Sequence, residues 1–201
     1  MGRCTKPIML ILLSSHYMKK YLTAIAISVV MSLAHAADPL DEAAIEQAAT
    51  DFDTANVTTS QNLEDEILIS QIGIDNFART DQLGTTNANV ALTQTGIDNA
   101  AGTFQNGINN TIAITQQGNG NFLVVTQTGD ANAATLNQSN DYNNFNLNQS
   151  GGFNSATVTQ TGNSNMTLNQ TGSQSADITL QGTAQGAVTQ LSPTLLLNII
   201  N

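Results

Sequence analysis

The chain has 201 residues, of which only 10% are charged; it lacks Trp, has three Pro, and carries a formal net charge of −10. So few aromatics and charges argue against a compact enzyme, while the Ile, Val and Leu present argue against a wholly disordered chain. Amide-rich sequence interleaved with apolar residues leaves a prion-like coil or an ordered repeat, and periodicity decides between them.

The N-terminus reads as a targeting segment. Met18 opens "MKKYLTAIAISVVMSLAHAADP", with Lys19 and Lys20 as the positive region and residues 21–33 as a short apolar core. Ala34-His35-Ala36 has the small-x-small form of a cleavage site, so the mature chain is expected to begin at Ala37. The apolar stretch is short for a spanning helix, and no transmembrane segment is expected in the mature chain. Residues 1–17 read as an upstream start or as an extension of the signal peptide.

The cut at Ala36 limits the available chemistry. Cys4, His16, His35 and every Lys lie before it, leaving Arg79 as the single cation against fifteen acids, a formal charge of −14. No thiol or imidazole is left for metal binding or general base work. A Ser or Thr nucleophile lacks an ordinary activating partner. The mature chain is therefore expected not to be an enzyme and to take no metal or cofactor. One Arg neutralises almost no phosphate charge, so nucleic acid is not an expected partner.

Residues 37–64 carry seven acids and no repeat, and read as an acidic flexible leader in which "DEAAIEQAATDF" could form a transient helix. From Asp65 to Gln190 a unit of about eleven residues recurs. Its Gln position falls at Gln71, Gln82, Gln94, Gln105, Gln116, Gln127, Gln138, Gln149, Gln160 and Gln170, and then at Gln181 and Gln190. Gly follows two places later at Gly73, Gly84, Gly96, Gly107, Gly118, Gly129, Gly151, Gly162 and Gly172. Asn follows Gln by five places at Asn76, Asn87, Asn99, Asn110, Asn121, Asn132, Asn143, Asn154 and Asn165.

Between Asn and the next Gln the unit alternates. "NTIAITQ" puts Asn110, Ile112, Ile114 and Gln116 on one face, and "NNFNLNQ" does the same with Asn143, Phe145, Leu147 and Gln149. This is the period-two pattern of half-buried strands, and the intervening Gly permits a turn with positive φ. Twelve strand-turn units make about six strand-turn-strand-turn coils of about 22 residues, an all-β solenoid with two facing parallel sheets. Strands would be ~20 Å long and the stack about 29 Å high. Each strand offers two apolar core residues, so a lone coil cannot offset its conformational entropy and stacking is required. Equivalent positions of successive coils superpose. Identical Gln or Asn side chains are therefore expected to form amide ladders, each donating to the next coil and accepting from the previous one.

The unit Q-x-G-x-x-N-x-x-x-x-x-Q over residues 65–190 resembles the curlin repeat of bacterial curli amyloid subunits. The signal peptide and acidic leader fit that resemblance. It implies passage through the periplasm and export, as an unfolded chain, through an outer-membrane secretion pore with accessory factors. It further implies polymerisation at the cell surface, with itself and other curlin subunits, into adhesive biofilm fibres. Nearly every turn has the QxG form, as in the minor, nucleating subunit. The last units degrade: "QTGSQSADITLQGTAQGAVTQ" is read as losing the Asn position to Ser175 and closing up as Gln181-Gly182, which resembles the minor subunit's irregular end. Having Arg79 alone, and six coils instead of five, departs from the minor type, and the major subunit stays as the alternative.

Asp75, Asp98, Asp130 and Asp141 read as turn formers whose charge restrains aggregation, since β-roll calcium sites need a nonapeptide with paired Asp. Arg79 reads as a solvated outer-face residue within reach of Asp81. The tail "LSPTLLLNIIN" over residues 191–201 is read as a final strand covering the last edge or as an attachment segment. With only the leader before Asp65, the first coil is expected to be open, and residues 170–201 to serve attachment. The rival reading is a monomeric ice- or surface-binding solenoid. Its outward Thr rows, drawn from Thr111, Thr115, Thr126, Thr157 and Thr159, are expected to be interrupted by Phe122, Val124, Asn144 and Asn146.

Overall fold

The computed structural model describes residues 65–191 and 193–200 in full, and residues 30–31, 43–51 and 54–58 as backbone strands. The expected cut after Ala36 lies outside the described residues. Twelve strands form the repeat array: β4 (Glu66–Ile74), β5 (Phe77–Gln82), β6 (Asn89–Ile97), β7 (Ala100–Asn106), β8 (Thr111–Asn119), β9 (Phe122–Thr128), β10 (Ala133–Ser139), β11 (Asn144–Ser150), β12 (Ser155–Thr161), β13 (Asn165–Thr171), β14 (Ser175–Gln181) and β15 (Gln185–Thr189). Odd-numbered strands pair in one sheet, here sheet A, and even-numbered strands in the other, sheet B; every pairing is parallel. The array is thus a β-solenoid of six coils, and no helix occurs among the described residues.

The pleat explains the burial. Along β8, Ile112, Ile114 and Gln116 are buried while Thr111 and Thr115 face out. Opposed residues from the two sheets make one continuous core that includes Ile67, Leu92, Leu123, Leu136, Phe145 and Ile178. Register is strict. Ile114 pairs with Leu92 on one side and Leu136 on the other, and Gln116 with Gln94 and Gln138. A slip of one residue would turn every core side chain to solvent, which is why patterned strands hold this register. Two core positions are polar: Thr80 and Thr103 are buried in adjacent coils of sheet A, with Thr103 Oγ1 donating to Thr80 Oγ1 at 3.1 Å.

Turns close on glycine where coils touch. Gly96 has φ +129°, and a Cβ there would stand 1.9 Å from the Gly118 carbonyl oxygen of the next coil. Gly118 in turn faces the Asn140 carbonyl, so turn backbones nest directly on one another.

The N-terminal end corrects the sequence reading, and the C-terminal end shows the strand that was one of its two readings. Residues 37–64 were read as a flexible leader, yet β2 (Ala43–Asp51) pairs with β4 and β3 (Thr54–Thr58) with β5. A two-residue strand, β1 (Val30–Met31), pairs with β3. The reason is visible in register: Ala43, Ile45 and Gln47 lie opposite Ile67, Ile69 and Gln71, so the leader contains one more copy of the core-core-Gln frame, hidden by its acids and lack of Gly. The coil that starts at Asp65 is therefore covered. At the other end, the tail supplies β16 (Thr194–Ile200), parallel to β14, as a final strand on sheet B.

Candidate functional site: amide ladders, outer faces and ends

The repeated amides form columns through the stack. In sheet B, Gln71 Nε2 donates to Gln94 Oε1 at 2.7 Å, Gln94 to Gln116 at 2.7 Å, Gln116 to Gln138 at 2.8 Å, and Gln138 to Gln160 at 2.8 Å. In sheet A the column runs from Gln82 through Gln105, Gln127, Gln149 and Gln170 to Gln190, at 2.8–3.0 Å. Each side chain in the body of a column also uses its second N–H. Gln116 donates to Ala100 O at 3.1 Å and Gln127 to Thr111 O at 3.0 Å, both first residues of strands in the facing sheet. An amide thus ties its coil both to the next coil and across the turn. Every polar atom of such a buried amide is satisfied, which is the condition for burying it.

The Asn columns run the other way. Asn99 Nδ2 donates back to Asn76 Oδ1, Asn121 to Asn99 and Asn143 to Asn121, each at 3.0 Å. On the opposite edge Asn132 donates to Asn110 at 3.1 Å and Asn154 to Asn132 at 2.9 Å. The acceptor oxygen also takes the backbone N–H of the following Asn, as at Asn121 N to Asn99 Oδ1, 3.1 Å. The expectation that all amides donate forward therefore holds for Gln and is reversed for Asn. The short Asn side chain reaches the turn, and its Oδ1 is fixed by that backbone donor from the next coil.

Two predicted ladder residues lie outside the columns. Asn87 is exposed, and its Nδ2 donates to Asn109 Oδ1 within the turn layer; Ala88 occupies the buried position. Asn165 is exposed, and Ser164 is buried in its place, donating through Oγ to Gly182 O at 2.7 Å. In the next unit the position falls to Gln174 instead of Ser175, and buried Leu180 stands where Gln181 would complete the sheet B column. Asp65, which the strand pattern "DEILISQ" puts on the inward face with Ile67, Ile69 and Gln71 but outside the expected ladders, also holds this position: its carboxylate accepts from Ala88 N at 2.9 Å and from the Thr85 hydroxyl. All of these follow from counting six residues back from the inward residue that closes the strand, not five forward from the preceding Gln. The pleated strand has fixed length, and the turn absorbs insertions and deletions.

The turn glycines from Gly73 to Gly172 all have positive φ, from +62° at Gly84 to +137° at Gly73. Asp75 and Asp98 take φ of 57° in the same turn layer. Asp130 Oδ1 accepts from Ile108 N at 2.9 Å and Asp141 Oδ1 from Asn119 N at 2.7 Å, so these carboxylates bind backbone of the preceding coil. Arg79 pairs with Asp81 at 2.8 Å on the outer face of sheet A.

The outer faces differ. Sheet A exposes Phe77 and Phe122, with Phe104 and Val124 beside a notch at Gly102. Sheet B exposes Leu68 and Ile72 on β4 and Leu196 on β16, with mainly small polar residues and Ala between, and one column down it reads Ser70, Thr93, Thr115, Asn137, Thr159 and Thr179. The residues expected to interrupt the Thr rows, Phe122, Val124, Asn144 and Asn146, all lie on sheet A, whereas Thr111, Thr115, Thr157 and Thr159 lie on sheet B. The interruption assigned from sequence thus mixed two faces. Among the described residues no group of three or more His, Cys, Asp or Glu could hold a metal ion, and no helix is long and apolar enough to cross a membrane.

No family model, curated protein or solved structure matches this chain. The ladders, faces and ends are therefore read on their own geometry: a stack of in-register parallel coils whose terminal strands each have one neighbouring strand among the described residues.

Proposed function

We propose that this chain is a structural subunit of extracellular, curli-type amyloid fibres, exported to the cell surface and supporting adhesion and a biofilm matrix. The observation that carries the reading is the unbroken, in-register Gln column of sheet A from Gln82 to Gln190, which runs the length of the array. Such a column has the geometry of a cross-β stack and extends by adding another coil of the same kind. At the head of that column, the buried Gln82 Oε1 has no hydrogen-bond partner among the described residues. The irregular coils after Ser164 favour the minor, nucleating type over the major type. Its partners are copies of itself, other curlin subunits and an outer-membrane secretion pore with accessory factors. Catalysis forms no part of this reading, which needs neither cofactor nor nucleic acid.

The test is incubation of purified chain from residue 37 onward with an amyloid dye, alone and with a major subunit. The expected outcome is dye-positive fibres with a ~4.8 Å axial repeat. A second reading, a monomeric ice- or surface-binding solenoid, draws on the Thr column of sheet B. A soluble monomer that shapes ice crystals and never binds dye would replace the first reading with the second.

A further inference from the structure

The two ends of the stack do not match as a head and a tail. From β2 onward the described residues form fifteen strands. Both the first, β2, and the last, β16, belong to sheet B. Among the described residues the sheet A seat beyond β3 is held by Val30–Met31 alone, and the expected cut after Ala36 removes even these. Suppose a second copy stacks end to end with β16 in place. Its β2 would land on β16, while its β3 would lie two strand spacings beyond β15, ~9.6 Å instead of ~4.8 Å. One strand's worth of backbone donors and acceptors in sheet A would then face a gap, a costly defect inside a stack.

Lifting β16 removes the defect. The second copy's β2 then seats on β14 and its β3 on β15, and both sheets run through the junction. The bonding of β16 suits it to this. Its inward residues Leu195, Leu197 and Ile199 are only partly buried against the core. Its ladder position is Ile199, opposite Leu180, so the strand lies beyond the Gln column, which ends in sheet B at Gln160. Its outward Leu196 is 78% exposed and Ile200 67%. A parallel strand held by backbone pairing and a thin apolar seam is less firmly tied than the amide-laddered coils of the body.

We infer that β16 is a displaceable cap on the C-terminal end, occupying the seat that an incoming copy of this chain must take. The inference rests on the assembly reading above and adds to it a built-in limit on elongation. Each junction joins the C-terminal end of one copy to the N-terminal end of the next, so a fixed cap on every copy blocks every junction.

The test is a reversible lock in the chain from residue 37 onward, in which the sheet A seat beyond β3 is free of Val30–Met31. Thr179 and Asn198 are register partners on the outer face of β14 and β16, and adjacent strands bring Cα atoms within disulfide range. The double variant Thr179→Cys/Asn198→Cys, whose two new thiols are the only ones from residue 37 onward, is compared oxidised and reduced in seeded elongation. Loss of free thiols verifies the bond. Oxidation should slow elongation roughly tenfold or more, because the open, binding-competent state is withheld, and reduction should restore it. A second variant of the same chain, Leu197→Asp, weakens the seam and should shorten the lag. Equal rates for oxidised and reduced protein, or a longer lag for Leu197→Asp, overturn the cap while leaving the assembly reading standing. Failure of both reduced and wild-type protein to form fibres overturns the assembly reading and the cap with it.

Discussion

The central coils and the C-terminal coils share one backbone but differ in what fills their amide positions. At β8–β11, Gln and Asn hold all four columns; from β13 onward Ser164, Gln174 and Ala184 take the Asn positions and Leu180 the sheet B Gln position, while Gln170 and Gln190 continue the sheet A column. The strands nevertheless stay in register through β14 and β16. Apolar pleating therefore suffices to align a coil on its neighbour, and the amides do something further: they bond coil to coil and brace each turn against the facing strand. A coil that lacks them pairs but is less firmly tied, which separates a stack's body from its removable end.

The largest effect in that comparison belongs to the turns. Gly96→Ala places a Cβ 1.9 Å from the Gly118 carbonyl at φ +129°, so a loss of about 4 kcal/mol or more, or failure to fold, is expected. Gly172→Ala, where nothing stands within 4 Å and φ is +68°, should cost only about 1 kcal/mol for the left-handed backbone. Denaturant midpoints of the two variants read the difference, and equal losses would mean that coil-on-coil nesting is not tighter in the middle.

Next in size are the ladders. Gln116→Ala removes bonds to Gln94, Gln138 and Ala100 O together, and should cost about 3 kcal/mol because buried groups are left unpaired. Gln160→Ala, whose only Gln partner is Gln138, should cost roughly half as much. If Gln160→Ala proves the worse of the two in chemical denaturation, the column is held from its end and not along its body. The smallest effects fall on residues that look repetitive but lie outside. Asn165→Ala and Thr115→Ala, both exposed, should shift stability by less than about 0.5 kcal/mol. Asn154→Ala, buried and bonded to Asn132 Oδ1, should cost about 1–2 kcal/mol. A dye-binding lag unchanged by Thr115→Ala but lengthened by Gln116→Ala would carry the same contrast into assembly.

The architecture was legible because period two and period eleven reinforce each other in this chain. Ile112, Ile114 and Gln116 had to share a face, and the repeat had to stack them. Asn87 and Asn165 were misassigned for a physical reason: spacing counted across a turn is unreliable when the turn can gain or lose a residue. The sense of hydrogen bonding in the Asn columns was not legible, because it depends on a backbone N–H that only the stacked turn brings to Oδ1. The coil formed by β2 and β3 was hidden because residues 37–64 lack the Gly and the even spacing that advertise the later units, though Ala43, Ile45 and Gln47 keep the core frame. The tail left two readings open, and pairing of β16 with β14 decides for a strand.

The turn aspartates have one more consequence, at the scale of a fibre. Between residues 65 and 200 there are eight carboxylic acids and the single guanidinium of Arg79, itself paired with Asp81. Spread over six coils of ~4.8 Å, the formal excess of seven negative charges amounts to about one per 4 Å of stack axis. Duplex DNA carries about one per 1.7 Å and condenses a counterion atmosphere. A long stack of these coils is in this sense a dilute polyanion. Copies added along its axis extend a line of charge, while neighbouring stacks approach through their shared ion clouds, so ionic strength governs sideways bundling far more than growth in length.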